Sequence, residues 1–216
     1  MQTSLRQISD IQMGFTARER LEPSFSGVPV LQLRDLQPDG TLNSSQMIKC
    51  DLGNVASRYL VNAGDIVFRS RGERNTAVTV EGLETASVAV LPLVIIRPDG
   101  SLVDPRYLAW FINSEGAQGY FDRAAQGTKL RMISRIDLEN LPVDVPDLAT
   151  QRRIVEVDAL AAEERRLTLC LMEMRQRILA STLRNLARSD RDGSPSKKSH
   201  KQRGGTPNNK PEGNND

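Results

Sequence analysis

Two short segments concentrate the side chains best suited to reading a nucleic acid. The first is Arg69-Ser70-Arg71-Gly72-Glu73-Arg74-Asn75-Thr76; the second carries Arg123, Gln126, Gly127, Thr128, Lys129, Arg131, Ser134 and Arg135. A guanidinium can donate two parallel hydrogen bonds to guanine O6 and N7, a carboxamide can pair likewise with adenine, and hydroxyl and ammonium groups hold phosphates. On that chemistry the candidate DNA contacts are Arg69, Arg71, Arg74, Asn75 and Thr76 from the first segment, and Thr128, Lys129, Arg131, Ser134 and Arg135 from the second. Residue types alone fit solvated loop charge equally well.

Catalytic chemistry has few components to draw on. No GxxxxGK[ST] or GxGxxG loop is present to cradle a phosphate. A [DE]-x-K element, which would hold metal and attacking water in a common type of nuclease, does not occur. The single histidine, His200, lies in a polar tail, so a Ser-His-Asp triad, a Cys-His dyad or a His-ligated zinc is not expected in the body. Asp104-Pro105-Arg106-Tyr107 faintly echoes the Asp-Pro-Pro-Tyr loop of adenine methyltransferases. It lacks the second proline and a glycine-rich cofactor strand before it, and an Asp-Pro pair starts a helix well. The expectation is a non-enzyme with no metal and no cofactor of its own.

At 216 residues, 38% hydrophobic and 26% charged, the sequence has room for one domain and an appendage. No apolar run approaches the ~18 residues of a membrane span, and the N-terminus has no secretory h-region. A cytoplasmic protein is expected, with Cys50 and Cys170 as reduced thiols. Beyond Arg188 lie six Lys+Arg and four Asp+Glu, so the tail carries the whole net charge of +2. A neutral body can present a basic surface only locally.

The elements that must position the basic segments fall in three zones: 1–147, 148–188 and 189–216. The first is mixed, with short β-like runs separated by Gly, Pro and Asp turns. Val28–Leu33 alternates, Tyr59–Val61 and Ile66–Phe68 flank Asn62-Ala63-Gly64-Asp65 like a hairpin, and Thr76–Val80 is β-branched. Ser87–Ile96 reads as a buried strand bent at Pro92, and Thr128–Ile133 as another strand. Asp104-Pro105 opens a helix whose Leu108, Phe111 and Ile112 share one face, with Trp110 flanking. These aromatics are expected in the core rather than stacked on bases. A short helix over Ile136–Leu141 leads into an extended Leu141–Pro146.

Residues 148–188 contain no Gly or Pro and read as one helix of ~60 Å at 1.5 Å per residue. Val157, Leu160, Glu164, Leu167, Leu171, Met174, Ile178 and Ser181 step by 3, 4, 3, 4, 3, 4, 3, the seam of a coiled coil. Val157, Leu160, Leu167, Leu171, Met174 and Ile178 are the candidate dimerisation residues. The alternative is an amphipathic helix folded back on the body. Residues 189–216 hold no aliphatic or aromatic core-forming side chain and are expected to be disordered. The fold class expected is α+β: a mixed α/β domain, one long coiled-coil helix and a tail.

The order of these segments resembles the target recognition domain of type I restriction–modification specificity subunits. The matching pieces are Gly27–Leu36, Ala63–Phe68 followed by Arg71-Gly72, Asp104–Leu108, Gly127-Thr128 and Ile136–Pro146. The last is Asp147-Leu148-Ala149-Thr150-Gln151-Arg152-Arg153-Ile154, similar to the family's Pro-Pro-Leu-x-Glu-Gln-x-x-Ile entry into its long helix. Here Asp147 replaces the second proline and Thr150 the glutamate. Members of the family usually carry two recognition domains and two such helices, and this chain shows one of each.

The resemblance implies a non-catalytic reader of double-stranded DNA whose domain enters the major groove and whose helices set the distance between half-sites. DNA methyltransferase (M) and restriction (R) subunits would dock on it, and S-adenosylmethionine, ATP and magnesium would belong to those partners. With one domain and one helix, self-association as an antiparallel homodimer is expected. The alternatives are a specificity-like DNA-binding protein of another phage-defence system, or a coiled-coil interaction protein without DNA specificity.

Overall fold

The computed structural model of the chain describes residues 2–192, apart from 18, 38–40, 73, 84 and 126–130. In chain order the elements are β1 (Gln2–Ser4), α1 (Leu5–Ile8), β2 (Ser9–Met13), β3 (Pro23–Leu31), β4 (Ile48–Cys50), β5 (Leu60–Val61) and β6 (Ile66–Arg69). Then follow β7 (Arg71–Gly72), β8 (Ala77–Thr79), β9 (Ser87–Ala89), β10 (Leu93–Pro98), α2 (Pro105–Asn113) and α3 (Glu115–Ala124). The last are β11 (Arg131–Met132), α4 (Arg135–Glu139), β12 (Pro142–Asp144) and α5 (Leu148–Asp192). The class is α+β. Of the tail expected to be disordered over 189–216, residues 189–192 continue α5 and the rest lies outside the described residues.

The chain divides into two units, Met1–Ala162 and Glu163–Asp216. In the first, an antiparallel sheet of order β2-β10-β6-β8 is the middle layer. Successive side chains of a strand point to opposite faces, and here both faces are covered. Ile66, Phe68, Ala77, Val94 and Ile96 pack toward the helices with Leu108, Ile112, Phe121 and Leu138. Val67, Val78, Leu93 and Ile95 join Leu31, Val61 and Ala89 on the other side. Double burial is the reason Ile66–Phe68 and Leu93–Ile96 read as unbroken apolar runs instead of alternating.

The second sheet has the order β4-β3-β9-β5, with β3 and β9 parallel and the other pairs antiparallel. Ser87–Ile96 is therefore two strands in two sheets, with a cis peptide bond at Leu91–Pro92 between them. The expected hairpin of Tyr59–Val61 with Ile66–Phe68 does not form. The Asn62–Asp65 turn is present, but β5 leaves it toward β9 and β6 toward β10 and β8, because each needs a different apolar layer. β3 starts earlier than the alternation suggested and ends at Leu31, where Leu33–Asp35 turns as a 3-10 helix.

Asp104 caps α2, its Oδ1 accepting the N–H groups of Arg106 at 2.9 Å and Tyr107 at 3.4 Å, with Pro105 in the first helical position. Arg106 Nε pairs with Glu81 at 2.6 Å and the Tyr107 hydroxyl donates to the Asp144 carbonyl at 2.6 Å. Every polar member of this loop thus has a structural partner. Tyr107, Leu108 and Ile112 are buried, and Trp110 and Phe111 are half-buried against the same core, so the aromatics of α2 are core residues.

The start of α5 belongs to the first unit. Asp147 caps it: Oδ1 accepts the Thr150 N–H at 2.9 Å and Oδ2 the Thr150 hydroxyl at 2.8 Å. These bonds hold the Asp147 carboxyl below the usual carboxylate range. Gln151 is fully buried, and Ile154 and Val155 pack on the core. The division between units falls inside the helix, at Ala162, because its first turns bury side chains and the later ones do not. From residue 163 to 188 the described side chains are exposed, Cys170 alone being intermediate. No helix among the described residues is long and apolar enough to cross a membrane.

Candidate nucleic-acid interface

The two basic segments meet through a two-stranded ladder. β7 pairs antiparallel with β11, Arg71 opposite Met132 and Gly72 opposite Arg131. The N–H of Ile133 donates to the Ser70 carbonyl at 2.9 Å and fixes the register. Residues 59 and 61 apart in sequence thereby share one edge. Arg71 and Arg74 are exposed, Met132 is 51% exposed, and Arg123 is exposed at the end of α3. No described carboxylate forms an ion pair with Arg71, Arg74 or Arg123. Exposed guanidiniums without a described carboxylate partner are available to phosphates or base edges.

The frame beneath that edge is built from side chains that sequence reading had placed in the interface itself. Asn75 is only 2% exposed, and its Nδ2 donates to the Arg69 carbonyl at 3.0 Å. Thr76 is buried, and its carbonyl accepts the Arg69 N–H at 2.8 Å. Ser70 is buried too, its hydroxyl donating to the Pro92 carbonyl. From below, Gln118 Nε2 donates to the Asn75 carbonyl at 2.8 Å, and Asn113 brackets Ala77 with bonds of 2.9 and 2.7 Å. Asn75 and Thr76, expected at the interface, are thus buried and bonded within the loop in this structure, as a tight reversal leaves polar groups inside that must be bonded.

Arg69 is half-buried, with Nε donating to the Arg71 carbonyl at 3.3 Å across its own loop. Gly72 allows this; its φ is +152°, and a Cβ there would come within 2.6 Å of the Arg69 guanidinium. Ser134 is the N-cap of α4, its hydroxyl receiving the Asp137 N–H at 3.1 Å and bonding the Asp137 carboxylate. Arg135 is exposed, and its Nε pairs with Glu139 at 2.6 Å. Ser134 thus has a capping duty, and the pair leaves the remaining N–H groups of Arg135 facing outward from that contact. Thr128 and Lys129 lie outside the described residues, and of Arg131 only the backbone position is described.

Met132 carried no signal beyond its place in an apolar strand pattern, and Gln118 and Asn113 none as loop supports. The seam residues Val157, Leu160, Leu167, Leu171, Met174 and Ile178 are all exposed, from 48% at Leu167 to 72% at Leu160. Both cysteines are free, Cys50 buried and Cys170 partly accessible. Burial pushes the Cys50 thiol above its ordinary range. No cluster of three His, Cys, Asp or Glu side chains able to hold a metal ion occurs among the described residues.

The fold is similar to part of the S subunits of type I restriction–modification systems. The HsdS subunit from Thermoanaerobacter tengcongensis superposes with a TM-score of 0.54 at 20% identity, over 76% of this chain and 37% of that one. The type I restriction–modification S subunit from M. genitalium gives 0.51 at 15% identity, over 82% of this chain and 42% of that one. The chain spans about two-fifths of the length of either S subunit. No family model and no curated protein matches the sequence. The fold expected from the sequence resemblance is the fold to which these structures are similar.

Proposed function

We propose that this chain is the DNA-recognition subunit of a type I restriction–modification system, acting without catalysis of its own. The first unit reads one half-site of double-stranded DNA in the major groove through the β7–β11 edge. The long helix pairs with a second copy, giving a bipartite frame on which methyltransferase and restriction subunits assemble in the cytoplasm. S-adenosylmethionine enters with the methyltransferase, and ATP and magnesium with the restriction subunit.

The observation that carries this reading is the β7–β11 ladder, which joins two separate Arg-bearing loops into one edge while their polar neighbours are bonded inward. Positively charged groups on a fixed frame are what positioning on phosphates and reading of base edges require. The test is selection of duplexes from a randomised pool by the purified full chain, followed by titration of the winner and a scrambled duplex across salt concentrations. A preferred sequence whose advantage persists as salt rises supports the reading. Equal affinities that fall together with salt would reduce the edge to a non-specific polyanion contact.

A further inference from the structure

Residues 163–188 of α5 expose two apolar rows. The first contains Leu167, Leu171, Met174 and Ile178; the second contains Leu169, Met172, Leu179, Leu183 and Leu186. At 100° per residue the rows are roughly 135° apart on the helix. Each could seat a partner helix, so the charged residues beside them must discriminate. The first row is apolar without a break from Leu167 to Ile178, whereas Gln176 interrupts the second between Met172 and Leu179.

Along one edge of the first row, every seventh residue, stand Glu156, Glu163, Cys170, Arg177 and Arg184. The order is acid, acid, thiol, base, base. Turned end for end about Cys170, this edge becomes its own complement. In an antiparallel pair the same edge of each helix faces its counterpart, so Glu163 meets Arg177 of the second copy and Glu156 meets Arg184. The layers between them are Leu167 with Leu171, Leu160 with Ile178, and Glu164 with Met174. A polar residue at such a layer favours one register over others. A parallel pair would not bring these opposite charges together. The second row has one reversible pair on its edges, Arg166 with Glu173.

Within one helix Glu163 holds Arg166 at 2.7 Å, and Glu173 lies 3.8 Å from Arg177. All four are exposed, so these local pairs contribute little and exchange readily for pairs between copies. We propose that a second copy of this chain covers the first row in antiparallel register centred on Cys170, so that the two Cys170 side chains face each other across the two-fold axis. This rests on the antiparallel homodimer reading above and adds its register and the residues that specify it.

The test uses the full chain and a short bis-maleimide. Cys50 is buried, so the wild type should give a cross-linked dimer that Cys170→Ser abolishes. In the Cys170→Ser background, Glu163→Cys together with Arg177→Cys should restore it. Glu163→Cys alone should not, because like positions then lie ~21 Å apart along the axis. Glu156→Arg with Glu163→Arg should weaken self-association about tenfold or more, and so should Arg177→Glu with Arg184→Glu. Mixing those two variants should restore pairing between them, which a folding defect could not do. Cross-linking through Glu163→Cys alone, or no recovery on mixing, overturns the register. Loss of cross-linking with sequence preference for DNA intact removes this proposal alone; the reverse removes the DNA reading alone.

Discussion

The carboxamide of Gln151 joins the long helix to the cap of α2: its Oε1 accepts the N–H of Asp104 at 2.7 Å, 47 residues away in sequence. Its Nε2 donates to the carbonyls of Leu102 at 3.1 Å and Pro146 at 2.8 Å. One fully buried side chain therefore satisfies three backbone groups from two connections. An oriented amide is the one neutral group that can accept on one side and donate twice on the other.

Gln151→Leu keeps the volume but leaves those three groups unbonded, and should cost about 3 kcal/mol in urea unfolding. Gln151→Glu keeps the acceptor and sets a carboxylate against two carbonyls. Burial raises its pKa in the folded state, so its stability is greatest in acid and is lost as pH rises through that raised value. A Gln151→Glu variant that matched the wild type at pH 7 would show that the amide's donor side is unimportant.

Arg71→Ala should weaken binding to the selected duplex by about 1–3 kcal/mol and to a scrambled duplex far less. Equal losses on both would make Arg71 a phosphate contact. Lys129→Ala and Arg131→Ala submit the second segment to the same comparison.

Asn75→Ala should act through the loop rather than through a base. It removes the bond to the Arg69 carbonyl, so stability falls by about 1–2 kcal/mol. DNA affinity should fall in parallel for all duplexes. A large specific loss with unchanged stability would return Asn75 to the role of a base reader.

Asp65 is buried, its carboxylate accepting the Asn62 N–H at 2.9 Å with Arg97 Nε 3.7 Å away. Desolvation raises its pKa above the ordinary 3.8, against the lowering effects of that hydrogen bond and of Arg97. A raised folded-state pKa means that its contribution is most favourable below about 3.8 and declines as pH rises through the raised value. Asp65→Asn keeps an acceptor for Asn62 without the charge. The wild type should therefore gain stability relative to the variant between pH 7 and pH 4, as read from urea midpoints. A difference that stays constant over this range would show that Asp65 titrates normally.

A frame made of two identical copies must read the same half-site on opposite strands, so the target should be an interrupted palindrome. Deleting the heptad Leu167–Glu173 shortens the helix by ~10 Å. At 3.4 Å per base pair the gap should contract by about three base pairs with the half-site unchanged. Methylation mapping in a host carrying the system gives both readouts. Two unrelated half-sites would mean that this chain pairs with a different recognition subunit.

Sequence by itself determined the features whose causes are local. Asp104-Pro105 starts a helix because a side-chain acceptor and a preset φ act within one turn. The long helix over Leu148 onward follows from the absence of Gly and Pro and from a heptad repeat, both readable without tertiary context. Even the departure at Asp147 has a local explanation, since Asp is a good cap and Thr150 follows at the right distance. Only the tertiary structure decided which strands pair. Leu60-Val61 and Ile66–Phe68 adjoin in sequence but enter different sheets, because strand pairing is settled by which apolar layer each face must fill. The same holds at the candidate interface. Arg71 and Asn75 look alike as polar loop residues, yet one is exposed and the other is committed to the Arg69 carbonyl. The choice depends on where β11 arrives to pair with β7, a contact made across 59 to 61 residues that no local pattern encodes.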